Sequence, residues 1–363
     1  MTTMTRTQAD AGFTLVELMI ATMLTVLVMG VAFSTFQNAA ELNRTVIELT
    51  DQGQNLRAGS NLLIRDLLQA GRGLPTGGIA IPSGDAAEDV YRPGPDGEVY
   101  TFDNTTQTNV MAITTGGGLG PLVSNQATDM ISILMEDPFL DSLDVVEADV
   151  PDEDAPTIAA DGASMDVGAE TTWLEGDVEN AIVAIGVGDL FYFSGGGSAT
   201  TLQTVTRIEG TTIYFEPDDP FNFNQRDATA GTITHVLDAA AGSDITVERV
   251  LMFTYWVEED DGVPRLMRAV NFNTPAALAG AVEDLTMSYD LVDGDVNPAG
   301  VSDLPYEEDG KTYTATQIRK VNVEIGVRSE NISARTGDYV RNRVSTTVSI
   351  RNLAFVDRYG TDG

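Results

Sequence analysis

The chain of 363 residues has no cysteine, a single histidine, His235, and two lysines, Lys311 and Lys320. Without cysteine there is no disulfide staple, no thiol nucleophile and no thiolate metal site. One histidine, set in a Thr-rich stretch that reads as strand, gives no imidazole cluster for metal or acid–base work. Basic charge is scarce as well: 20 Lys and Arg stand against 55 Asp and Glu, for a formal net charge of −35. No Lys or Arg occurs between Arg92 and Arg207, and acids are densest between Glu136 and Glu179. Such a surface repels phosphates, so no nucleic acid is expected as partner. It suits divalent cations or basic partners, or is simply a solvated, salt-tolerant face. The chain also lacks a Gly-x-Ser-x-Gly elbow and a His-Glu-x-x-His pair, and its glycine runs lack the Lys-Ser/Thr of a phosphate loop. Enzyme is therefore the least expected class.

Charge is absent from one further place. Residues 13–36 are 24 residues with Glu17 as their only charge. As a helix they extend ~36 Å, enough for a hydrocarbon core of ~30 Å. A secretory signal peptide would carry a basic leader, a shorter apolar core and a small-residue cleavage site after it. Here residues 1–12 carry only Arg6 and Asp10, and no such site follows. An ordinary anchor explains the length but not Glu17, since a carboxylate in lipid costs roughly 2.5–3.5 kcal/mol even on insertion scales.

The run Gly12-Phe13-Thr14-Leu15-Val16-Glu17-Leu18-Met19-Ile20-Ala21 resembles the class III signal of type IV pilins and type II secretion pseudopilins. The resemblance implies cleavage of the 1–12 leader after Gly12 by a prepilin peptidase and N-methylation of Phe13. It also implies that Glu17 pairs with a neighbouring subunit's N-terminal ammonium during assembly. Two desolvated charges from adjacent subunits neutralise each other and set register. The implied location is the bacterial inner membrane, with the head outside the cytoplasm, and later the pilus tip.

Beyond the apolar run, Leu42, Leu49, Leu56, Leu63 and Ala70 recur every seven residues, with Val46, Gly53, Ser60 and Leu67 offset by four. This stripe predicts an amphipathic helix over 37–72, half-buried on its own globular domain. A two-stranded coiled coil is the alternative, disfavoured because Gly53 and Ser60 suit close approach better than knobs-into-holes packing. Gly30 and Gly53 are the expected weak points, and Gly71-Arg72-Gly73-Leu74-Pro75 the stop.

The remainder divides into an acidic loop- and strand-rich insertion at 73–244 and a β-rich region at 245–363. Residues 76–125 read as loops with short edge strands, 130–135 as a strand and 141–173 as a mobile acidic loop. Hairpins are expected for 181–194 with 201–216 and for 246–257 with 265–271, followed by strands at 282–291, 318–328 and 343–355. A leading helix followed by runs of strands predicts an α+β fold: a long transmembrane and amphipathic helix packed on an antiparallel sheet.

In order along the chain, Leu67-Leu68-Gln69-Ala70-Gly71, Tyr255-Trp256-Val257, Leu266-Met267-Arg268, Val282-Glu283-Asp284-Leu285, Tyr289-Asp290, Ile318-Arg319-Lys320-Val321 and Ile350-Arg351-Asn352 are similar to PilW-type minor pilins. That similarity implies a low-abundance subunit that helps start pilus assembly near the tip. Its implied partners are other minor pilins, the major pilin and an inner-membrane assembly platform. Two other readings stay open: a J-like tip component of a type II secretion pseudopilus, and an anchored surface module that binds calcium or a glycan. For calcium, Asp290, Asp293, Asp295 and Asn297 offer closely spaced oxygens around Gly294, with Asp303 able to close the site. The run lacks the distal glutamate and flanking helices of an EF-hand, and a plain acidic turn is the simpler reading.

Overall fold

The structure is a computed structural model, and it describes residues 13–95, 99–102, 107–147, 156–168, 171–177, 183–196, 199–294, 296–329, 332 and 337–353. The chain divides into two compact units, residues 1–53 and 54–363.

In the first unit the described chain is helical from Leu15, and the helix Leu15–Gln69 passes through Gly30 and Gly53 without interruption. Added Cβ atoms at these glycines would meet nothing within 4 Å. Leu42 and Val46, the first stripe positions, are exposed. Leu49 lies outside the described side chains.

In the second unit the stripe behaves as predicted. Leu56, Leu63, Leu67 and Ala70 are buried in the largest core cluster, beside Phe253, Tyr255, Leu266, Leu285 and Val323. Gly59 lets the helix approach closely, since a Cβ there would sit 3.2 Å from Ala279 Cβ and 3.3 Å from Leu266 Cδ2. The helix stops where foreseen. Gly71 and Gly73 take positive φ values of 73° and 72°, a conformation cheap only for glycine. The turn is fixed by Gly71 N–H donating to Leu134 O and Glu136 N–H donating to Arg72 O.

The main sheet is built on one 16-residue strand, Ile245–Asp260. On one edge it pairs antiparallel with Leu190–Gly195 and Val263–Val270, and on the other with Ile131–Glu136 and Leu143–Glu147. The Val263–Val270 hairpin closes over Asp261 and Gly262, both at positive φ. Leu190–Gly195 pairs in turn with Ala199–Thr204. Strands from 73–244 and from 245–363 thus share one sheet, so the insertion read from the sequence is woven into the head. A second, three-stranded antiparallel sheet joins Val282–Leu291, Ile318–Arg328 and Arg341–Ser349. The fold is α+β, as expected; the residues 354–355 assigned to the last strand lie outside the described ones.

Two readings are corrected. The acidic segment 141–173 is not merely a loop. Its described residues form the strands Leu143–Glu147, Thr157–Ile158 and Ser164–Asp166, which extend the main sheet. At its end Trp173 is buried and stacks on Phe191 at 5.3 Å. The acids face out while Leu143, Val145, Ile158 and Met165 face a core, so charge masked a strand alternation. His235 is not in a strand either. It is an exposed residue of the helix Ile233–Ala240, which is capped by Thr232 and buries Ile233, Val236, Leu237 and Ala240. Four apolar residues at helical spacing outweigh the β-propensity of two threonines.

Candidate functional site

The N-terminal site is assembled by local chemistry. A helix begins with backbone N–H groups that have no intrahelical acceptor, and in lipid no water replaces one. Thr14 precedes the first helical residue, and Glu17 follows three residues later. Thr14 N–H donates to Glu17 Oε2 at 3.0 Å, the Thr14 hydroxyl donates to the same oxygen at 2.9 Å, and Glu17 N–H donates to Thr14 Oγ1 at 3.3 Å. This is a reciprocal capping box, T-x-x-E. It gives Glu17 a second role that the reading of the sequence missed, although the four-residue signal was present. Phe13 is 84 % exposed, Glu17 is exposed too, and Gly12 lies outside the described residues.

The helix that follows is built for an apolar solvent. Leu15–Arg44 is long and apolar enough to cross a membrane, and its most apolar stretch is wholly unburied. Its threonines satisfy themselves: the hydroxyls of Thr22, Thr25 and Thr35 donate to the carbonyls of Met19, Ala21 and Val31. Each hydroxyl thereby avoids the cost of an unpaired polar group in hydrocarbon. Length, composition and motif together make this segment a membrane anchor.

In the head, charge does structural work. Asp66 is fully buried in the apolar stripe. Its Oδ2 accepts from Tyr255 Oη at 2.6 Å and from Arg268 Nε and Nη2 at 3.0 and 2.8 Å. Arg268 also lies over the Phe253 ring at 4.0 Å. This network ties residues 54–69 of the helix to two strands of the main sheet. Burial, followed by the Asp66 charge, pushes the Tyr255 hydroxyl pKa well up, so it remains a donor. Arg249 and Asp137 form a second buried pair, and Arg249 Nη1 also donates to Val183 O at 2.7 Å. Asp219 is held by the Thr204 hydroxyl and the amides of Phe221 and Asn224, yet burial still raises its pKa.

The turn proposed for calcium has its oxygens engaged by protein donors. Asp290 Oδ1 accepts from Gly300 N–H and Asn322 Nδ2, both at 3.1 Å. Asp293 Oδ1 accepts from Val296 N–H at 3.0 Å, and its Oδ2 from Lys311 Nζ at 2.9 Å and Tyr313 Oη at 3.3 Å. Asn297 Oδ1 accepts from Asp293 N–H. Asp303 is engaged elsewhere, by the Thr115 hydroxyl and Leu304 N–H. Asp295 lies outside the described residues. Among the described residues no group of three or more His, Cys, Asp or Glu is placed to hold a metal ion.

Comparison with known proteins adds one finding. Residues 8–33 match the family model described as the prokaryotic N-terminal methylation motif. No curated protein and no solved structure matches the chain. The match covers the Gly12–Phe13 junction, Thr14 and Glu17. The chain therefore carries, at its N-terminus, the prokaryotic methylation motif of a class III prepilin signal.

Proposed function

We propose that the protein is a minor pilin of a type IV pilus, of the PilW type, which helps initiate assembly and sits near the tip. The observation that carries this reading is the methylation motif, with an exposed Glu17 at the first turn of an anchor helix. The 310-residue second unit supports a tip position, since bulk is easier to place at a filament end than in a packed shaft. In this reading prepilin peptidase cuts after Gly12, Phe13 becomes the methylated N-terminus, and the inner-membrane platform hands the subunit to its minor and major pilin neighbours. Glu17 then exchanges its bonds to Thr14 for the ammonium of an adjacent subunit. That exchange is favourable only if the two buried charges meet directly.

Deleting the gene and counting surface pili by electron microscopy tests the proposal. The expected result is near-complete loss, restored by the intact gene but not by Gly12→Val. Normal pilus numbers with impaired protein export would instead identify a type II secretion pseudopilin. Glu17→Ala is expected to behave as the deletion. Glu17→Gln separates the two roles of this residue, because glutamine serves in a capping box but carries no charge. If Glu17→Gln restores pili fully, the intersubunit ion pair is wrong.

A further inference from the structure

Several arginines of the head lie in or against its interior: Arg328 donates to Gly262 O at 2.9 Å and lies over the Tyr339 ring at 4.3 Å, and two others meet carboxylates. Arg268 meets Asp66, and Arg249 meets Asp137. Arg92 is different. It is 3 % exposed, its Nε has no hydrogen-bond partner, and its one bond runs from Nη1 to Thr114 O at a long 3.4 Å. No carboxylate among the described residues lies within ion-pair distance of it. A buried guanidinium left this way is costly, and natural interiors seldom keep one without a partner. Burial lowers its pKa to about 10, which still leaves it a cation at neutral pH.

Arg92 lines a cavity of about 400 Å³, within the ~300–1,000 Å³ range of small-molecule sites. Gly116 makes room for the guanidinium, since a Cβ there would lie 2.9 Å from Nη2 and 2.6 Å from Met130 O. Phe102, Met111, Ile113 and Leu304 supply apolar wall, while Thr101 and Thr314 add hydroxyls. Leu119, 43 % exposed, and Thr312, also exposed, stand on the solvent side. Among the described lining residues the one carboxylate is Asp303, whose Oδ1 is engaged by Thr115 and the Leu304 amide. Among the described lining residues one cation thus faces one engaged anion, which favours a ligand of single negative charge over a polyanion.

We propose that this cavity binds a small organic monocarboxylate with an apolar body, its carboxylate accepting from the Arg92 guanidinium. A carboxylate matches the guanidinium fork in a bidentate pair, and the apolar body replaces water along the Phe102, Met111 and Leu119 walls. The site is independent of the pilus reading and stands or falls separately from it.

The test uses the full-length protein in lipid nanodiscs, with phenylacetate as probe, phenylacetamide as its uncharged counterpart, and inorganic phosphate. Saturation-transfer NMR against empty nanodiscs is expected to show phenylacetate bound and the other two unbound. Arg92→Gln is expected to weaken phenylacetate by about 10-fold or more, the worth of a charge-assisted hydrogen bond. Leu119→Trp, which leaves Arg92 in place but fills the mouth, is expected to abolish binding. The proposal is overturned if wild-type protein binds no phenylacetate, or if the amide binds as well as the acid. It also fails if folded Arg92→Gln binds unchanged. Should Arg92→Gln fail to fold, Leu119→Trp decides: retained binding overturns the site and lost binding supports it.

Discussion

The anchor and the head answer the same physical demand in opposite ways. In the anchor the threonines and Glu17 find partners within one helical turn: Thr14 with Glu17, and Thr22, Thr25 and Thr35 with carbonyls three or four residues back. In the head the partners are far apart in sequence. Asp66 is satisfied by Tyr255 and Arg268, and Arg249 by Asp137. A segment facing lipid has no other chain to rely on before assembly, so its hydrogen bonding must close locally. A folded domain can bury charge because distant strands bring the counter-charge to it. The large apolar side chains follow the same division: Met23 and Val26 are 73 % and 70 % exposed, whereas Leu63 and Leu67 are fully buried.

That contrast breaks most sharply at Asp66. Asp66→Ala leaves Arg268 without its counter-charge and the Tyr255 hydroxyl without its acceptor. It is expected to cost the head about 3–5 kcal/mol, as for other broken buried pairs. Urea unfolding followed by tryptophan fluorescence reads this directly, because Trp173 and Trp256 are both buried in the head. A loss below ~1 kcal/mol, the worth of an exposed pair, would show the network to be dispensable.

Next comes the apolar stripe. Leu63→Ala is expected to cost about 2–5 kcal/mol in the same assay, while Leu42→Ala, at a position 58 % exposed, leaves the urea midpoint unchanged. Equal effects at the two sites would refute the division of the stripe.

The smallest effect is expected at the glycines. Gly59→Leu forces atoms against Ala279 and Leu266 and should destabilise the head by about 1–3 kcal/mol. Gly53→Ala meets nothing within 4 Å and should stabilise the helix by up to ~1 kcal/mol, read as increased helicity by circular dichroism. Destabilisation by Gly53→Ala would mean that this face is in contact after all.

Much of the architecture was legible because it is periodic. The stripe through Leu56, Leu63, Leu67 and Ala70 has a helical period, and the strands Val282–Leu291 and Ile318–Arg328 begin and end where their alternation does. Segment 141–173 misled because a high density of acids hid the alternate apolar positions. The helix Ile233–Ala240 was hidden because two threonines and a valine favour strand locally, while Ile233, Val236, Leu237 and Ala240 needed a core beneath them to show their face. At the N-terminal site Phe13 and Glu17 were legible from one contiguous motif. The cap made by Thr14 is equally contiguous, but the isolated charge of Glu17 in an apolar run is the stronger signal.

By itself the sequence determined the anchor, the processing signal and the α+β class, since each rests on residues close enough along the chain to act without the rest of the fold. Only the tertiary structure decided which charges are buried and with whom. Nothing near Asp66 names Tyr255 or Arg268, and nothing near Arg92 announces a guanidinium left without a carboxylate beside a cavity. Those relations arise when the helix that carries Asp66 packs on strands nearly two hundred residues further along the chain, and no local pattern encodes a distance that only packing creates.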